Sequence, residues 1–189
     1  MRLLVTTFAL LALTACGRPA ETQTAAAGCA RSATHEVTWS NAATPDVVTA
    51  ASAGPTCAQA VVTLVMRNAA GDPLLAFAST HYAMTAGDSP PPDGAPAVSD
   101  AEMDRFLAGW ANVSEMRSGE LPEWRADAAT LTESATTFAY VTQFSRDVYE
   151  NMRSRNLAMV CYAAAVEGSR CLIIDPANSA PAEIVAYGP

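Results

Sequence analysis

The sequence predicts an α+β domain, with a mainly antiparallel sheet of five to six strands and two helices packed on one face. Three observations carry that expectation. Residues 60–66 and 74–78 are apolar runs joined by Asn68-Ala69-Ala70-Gly71-Asp72, which is the composition of an antiparallel hairpin. Ser99-Asp100-Ala101-Glu102 opens a stretch whose apolar residues recur every three to four positions, as on a helix with a capped start. A second helical spacing after Phe138 leads to two further runs, 157–162 and 170–175, around Val166-Glu167-Gly168-Ser169, a second hairpin. Strands grouped in hairpins, with helices between the groups, define the class.

The chain opens with one basic residue, Arg2, an apolar run over residues 3–13, and small residues up to Cys16. This is the layout of an export signal, and the run falls short of the ~20 residues a membrane span needs. Leu13-Thr14-Ala15-Cys16 resembles the lipobox of bacterial lipoproteins. The resemblance implies that the signal is cut before Cys16, that its sulfur receives a diacylglyceryl group, and that the new amine is acylated. Several acyl chains, at about 0.8 kcal/mol per buried methylene, hold a protein on a membrane where one chain would not. An ordinary signal peptide would leave a cysteine directly after the cut unexplained. In Gram-negative lipoproteins an Asp after the cysteine marks inner-membrane retention; Gly17 stands there instead, which implies the outer membrane. The expected address is therefore the bacterial cell envelope, lipid-anchored and facing the periplasm. The expected organisation is a signal peptide over 1–15, a lipidated flexible tether over 16–28, and a single globular domain over 29–189.

Half of the residues are apolar and the formal charge is −8, with arginine as the only strongly basic residue type. Such an acidic domain offers no basic patch for phosphates, so nucleic acid is not an expected partner. The expected partners are the membrane, through the lipid on Cys16, and an envelope protein or small ligand. With Cys16 acylated, Cys29, Cys57, Cys161 and Cys171 remain, and four cysteines in an exported chain read as two disulfides with three possible connectivities. The favoured pairing is Cys29–Cys57, clasping the domain's entrance, with Cys161–Cys171 across the second hairpin. No CxxC pair exists and only His35 and His81 could assist, so no metal or other cofactor is expected.

Taken in order, His35-Glu36-Val37-Thr38-Trp39-Ser40 and Val47-Val48-Thr49-Ala50 read as strands, the second bounded by Pro45 and Gly54-Pro55. The nearly continuous apolar run over 60–66 reads as a strand covered on both faces. Gly71 can take positive φ in the turn, and Pro73 belongs at the first position of the returning strand. His81-Tyr82-Ala83-Met84 either extends that strand or leaves the sheet. Residues 87–97, with Pro90-Pro91-Pro92 and Pro96, read as a stiff connector.

The helix from Ser99 places Met103, Phe106, Leu107, Trp110 and Val113 on one face. Gly109 inside it costs about 1 kcal/mol against alanine, so either close packing wants it or the helix is weak there. From Gly119 to Trp124 the helix is broken, and a long irregular connection is expected through 137. Trp124, between charged residues, either covers the edge of the core or offers a contact surface. Val141, Phe144, Val148 and Met152 predict a second helix over 142–155, closed by Asn156. In the second hairpin a two-residue turn would put Cys161 and Cys171 on opposite faces. A three-residue loop would separate them by a diagonal of roughly 7–8 Å, so the local disulfide requires a wider loop or a bulge. Pro176 ends the strand, and Ile184-Val185-Ala186-Tyr187 is a candidate last strand. Leu121-Pro122-Glu123-Trp124 and Met159-Val160-Cys161-Tyr162 resemble stretches of uncharacterised envelope lipoproteins of alphaproteobacteria, a resemblance that implies no activity.

The sequence carries no Gly-x-Ser-x-Gly elbow, phosphate loop, dinucleotide glycine motif, calcium loop or HExxH helix. The nineteen acidic residues single out no carboxylate pair. His35 and His81 are the only imidazoles, and His81 follows Ser79 and Thr80. No catalytic residue is assigned. The candidate binding surface is Trp124 and His81, and the expected function is that of a non-catalytic binding or interaction module. An envelope hydrolase using His81 as base is the alternative. It requires His81 in a cleft within hydrogen-bond reach of Ser79, Thr80 or a carboxylate. An inhibitor of an attacking enzyme would need a protruding acidic loop, for which 87–97 and 119–128 are the places.

Overall fold

The computed structural model describes residues 28–86 and 96–188. The signal-like residues, Cys16 and the Pro90-Pro91-Pro92 run lie outside them. Four strands in chain order form the first sheet: β1 (Arg31–Val37), β2 (Asp46–Ala53), β3 (Val61–Arg67) and β4 (Pro73–Thr80), each antiparallel to its neighbour. The β3–β4 turn is built on Asn68, whose side-chain oxygen accepts from the backbone N–H groups of Ala70 and Asp72 at 3.0 and 2.9 Å. Gly71 takes φ +89° there, a conformation that costs a side-chain-free residue nothing. Pro73 occupies the first strand position, opposite Arg67, where its missing N–H is harmless.

β3 is covered on one face only. Val62, Leu64 and Met66 are fully buried, whereas Val61 is 47% exposed and Thr63 and Val65 share its side. The nearly continuous apolar run therefore reflects β-branched residues suited to a pleated backbone, not a second covering layer. The doubly covered strands are β7 (Ala158–Ala163) and β8 (Ser169–Asp175), in the second sheet, whose order is β5-β7-β8-β9-β6. Its other members are β5 (Ser114–Arg117), β6 (Ala139–Val141) and β9 (Ala180–Gly188).

The expected α+β class thus takes the form of nine antiparallel strands in two sheets with four helices among the described residues: α1 (His81–Thr85), α2 (Asp100–Ala111), α3 (Leu131–Ser134) and α4 (Arg146–Ser154). His81-Tyr82-Ala83-Met84 leaves the sheet as α1, its start capped by Thr80, whose hydroxyl accepts from Ala83 N–H at 3.0 Å. Alternate residues of the second sheet enter two cores. Val160, Tyr162 and Leu172 join Val62, Leu64, Met66 and the α2 residues Met103, Leu107 and Trp110. Met159, Cys161, Cys171 and Ile173 face the other way, under Leu121, Leu131, Tyr149 and Met152. A bulge where Cys171 opposes Val185 and Leu172 opposes Glu183 lets Ile184 and Val185 both enter this second core.

Further sequence expectations are corrected. The second helix begins at Arg146, and Val141 lies in β6 at 52% exposure. Thr142 holds that entry to the β9 backbone by donating its hydroxyl to Ile184 O at 2.7 Å. The buried residues of α4 are Tyr149 and Met152, while Val148 is exposed. The connection over 119–137 contains a 3-10 turn ending at Glu120 and α3. It is tied down by Tyr149 donating to Pro122 O at 2.7 Å and Arg153 Nε donating to Leu121 O at 3.1 Å. Burial pushes the Tyr149 phenol far up. Asn156 closes α4 with φ 50°, the left-handed position a helix C-terminus uses.

Both favoured disulfides are present. Cys29–Cys57 joins the segment before β1 to the turn after β2, with Cα atoms 4.7 Å apart. In the second hairpin Ala163 pairs with Ser169 across a five-residue loop, closed by Ala164 N–H donating to Gly168 O at 2.8 Å. That wider loop sets Cys161 directly opposite Cys171, Cα to Cα 4.1 Å, the close spacing of facing residues across antiparallel strands.

Candidate functional site

Helix α2 organises the site. Its start is the expected capping box: Ser99 N–H donates to Glu102 at 2.8 Å and Ser99 Oγ accepts from Glu102 N–H at 3.3 Å. The bonds from Ser99 hold the Glu102 carboxyl below its ordinary range. One side of α2 is fastened to β1 through Arg31, whose guanidinium grips Asp104, with Nε to Oδ1 at 2.8 Å, and reaches Asp100. This pair lowers Asp104 and raises Arg31. At the other end Trp110 Nε1 donates to Ala163 O at 2.9 Å, tying the helix to the β7–β8 hairpin.

Between α2 and that hairpin lies a cleft of about 450 Å³, within the size range of small-molecule sites. Arg105 and Gly109 of α2 and Asn112 just past its end form one rim, Phe106 and Trp110 supply aromatic surface, and Val166 stands opposite at the hairpin tip. Arg105 and Gly109 stand i, i+4, one above the other on the helix, and Asn112 follows just past the helix end at Ala111. Gly109 resolves the two readings of its helix position. A Cβ there would meet nothing within 4 Å, so no close packing requires the glycine. Met84 of α1 also lines the cleft. A neighbouring hollow of about 330 Å³ shares Ala165, Ser169 and Tyr187 with it, so the two run together around the hairpin loop.

His81 lies one layer behind this cleft. It is 7% exposed, and its ring meets the Phe106 ring edge-on with centroids 4.9 Å apart. Burial lowers its basicity, partly opposed by the Glu102 charge. Among the described residues its ring makes no hydrogen bond to Ser79, Thr80 or a carboxylate, and the Thr80 hydroxyl is occupied by the α1 cap. Trp124 sits in the other core. Its ring packs edge-on against Tyr149 at 6.0 Å, its N–H donates to Glu150 at 2.6 Å, and its indole donates to Ala128 O at 3.1 Å. The second sheet separates Trp124 from His81, so the structure does not bring the two together. The segment around Trp124 is folded down onto α4, with Arg146 donating to Trp124 O at 3.2 Å. Most of 87–97 lies outside the described residues. Among the described residues no three His, Cys, Asp or Glu side chains converge on a possible metal position.

The cleft was missed from sequence because its far wall is the β7–β8 hairpin, which is remote in the chain. Gly109 was the available signal. Comparison with protein-family models, curated proteins and solved structures finds no match in any of the three.

Proposed function

We propose that this chain is a lipid-anchored protein of the bacterial cell envelope that acts as a non-catalytic binding module, with the α2–hairpin cleft as its binding site. The observation that carries the reading is the cysteine arithmetic. Of five cysteines, four pair as Cys29–Cys57 and Cys161–Cys171, and the one left over is Cys16, in the lipobox-like Leu13-Thr14-Ala15-Cys16. Disulfides persist in oxidising compartments such as the periplasm, and a thiol destined for a lipid is the one that must stay out of them. The cleft supports the binding half of the reading: it is concave and joins aromatic side chains to polar groups such as Arg105 and Asn112.

The test places a photoreactive residue at Val166, on the cleft rim, or at Val61, on the outer face of the first sheet, in the full chain expressed in bacteria. A discrete adduct in the membrane fraction from position 166 and none from 61 is expected. Adducts at both positions or at neither, or a protein recovered wholly in the soluble fraction, would overturn the proposal.

A further inference from the structure

We infer that the cleft takes a ligand with a flat apolar body and one acidic group, the acid held by Arg105 and the body lying against the bare backbone at Gly109. This rests on the binding reading above and adds the class of ligand. Arg105 is exposed at the rim and makes no ion pair or hydrogen bond among the described residues. Glu102 feels its charge, but that carboxylate is already engaged by the N–H and hydroxyl of Ser99 at 2.8 and 2.7 Å. An unengaged guanidinium, planar and permanently charged, is a ready partner for a carboxylate, sulfonate or phosphate. In a chain of net charge −8 it is also a local exception, which orients an approaching anion toward this end of the cleft.

Gly109 lies one turn further along the same stripe. Interior glycine weakens a helix, and here no neighbour needs the space its missing Cβ leaves. What remains is access: a ligand can approach the helix backbone closely only where no side chain stands. Beside it the Phe106 and Trp110 rings lie 5.5 Å apart at a 35° tilt. The Trp110 N–H is given to Ala163 and its ring is buried, so the half-buried Phe106 ring supplies the accessible aromatic surface. Asn112, one turn beyond, supplies a side-chain amide that has no partner among the described residues. Cation and gap thus lie one turn apart on the helix with Phe106 beside them, matching a ligand with an acid at one end and a flat body behind it.

The probes are 8-anilino-1-naphthalenesulfonate and its uncharged counterpart N-phenyl-1-naphthylamine, which has the same rings without the sulfonate. Fluorescence titration should give saturable binding of the anionic dye, tighter than that of the neutral dye. Arg105→Gln should weaken the anionic dye about tenfold or more, the range of a charge-assisted bond, and leave the neutral dye within about twofold. Gly109→Leu should weaken both. Should Gly109→Leu not fold by circular dichroism, Val166→Glu gives an independent readout, with the anionic dye weakened more than the neutral one. Val61→Thr, away from the cleft, should change neither. Equal binding of the two dyes, or anionic-dye binding unchanged in Arg105→Gln, overturns the ligand class. Adducts persisting at position 166 in that case would leave the binding reading standing; loss of the adducts with dye selectivity intact would do the reverse.

Discussion

Ser118 joins three elements with one hydroxyl, and Ser118→Ala tests how the second core is held. The residue is 0% exposed. Its hydroxyl donates to Met152 O at 2.8 Å and accepts from Leu157 N–H at 2.8 Å, while its own N–H donates to Leu157 O at 2.9 Å. Met152 belongs to the last turn of α4, where carbonyls lack donors within the helix. Alanine would keep the volume nearly unchanged but leave Met152 O and Leu157 N–H short of a partner, in a site closed to water. Each unpaired buried group costs about 1–3 kcal/mol, and relaxation recovers part of it, so a loss of about 2–4 kcal/mol is expected. That is a large fraction of the roughly 5–15 kcal/mol of an ordinary domain. Urea unfolding followed by circular dichroism should show the midpoint falling by about 1–2 M at unchanged slope. Ser154→Ala, at the exposed end of α4, should shift stability by no more than about 0.5 kcal/mol. A Ser118→Ala protein within about 0.5 kcal/mol of the parent would refute the reasoning.

The remaining expectations concern glycines, a histidine and the disulfides. A Cβ at Gly54 would stand 2.7 Å from Ala60 Cα, so Gly54→Ala should destabilise by about 1–3 kcal/mol. Gly109→Ala, entering empty space, should stabilise by up to about 1 kcal/mol; thermal melts separate the two signs. His81 has its folded pKa lowered by burial, so the unfolded chain binds the proton more readily and stability must fall as pH drops below the ordinary value of 6.5. His81→Leu should flatten the part of that fall between pH 6.5 and 5, measured as midpoint against pH. Cys29–Cys57 spans 28 residues and Cys161–Cys171 spans 10. Chain entropy gives about 3.6 and about 2.7 kcal/mol respectively, so paired alanine variants should rank the first as the costlier loss in urea titrations. The reverse order would show that strand pairing, not loop closure, sets the contribution of these bonds.

Much of the fold was legible where local chemistry decides it. The Asn68–Asp72 turn, the Ser99–Glu102 capping box and the left-handed Asn156 each satisfy backbone groups within a few residues, and the sequence displays them. Register follows the same local logic: the cysteines face each other because the hairpin loop is five residues long. Legibility failed where partners are distant. Ser114-Glu115-Met116-Arg117 has no strand signature and becomes β5 only by pairing with β7. Ala139-Tyr140-Val141 was absorbed into a helical spacing because its true partner, β9, is far along the chain. An apolar run such as 60–66 does not say how many of its faces are covered. For the same reason His81, the candidate base, and Trp124, an aromatic between charged residues, lie behind and away from the cleft. Gly109 stood out as a defect in a helix, but only the hairpin opposite shows what the gap opens onto.

The central claim is that an export anchor on one cysteine accounts for the oxidised state of the other four. Intact-mass and peptide mass spectrometry of the unreduced protein, extracted with detergent from bacterial membranes, tests it in one measurement. The account predicts a mature chain beginning at Cys16 and carrying acyl mass, with Cys29 joined to Cys57 and Cys161 to Cys171. A chain cut elsewhere, an unmodified Cys16, or Cys16 found in a mixed disulfide would contradict it.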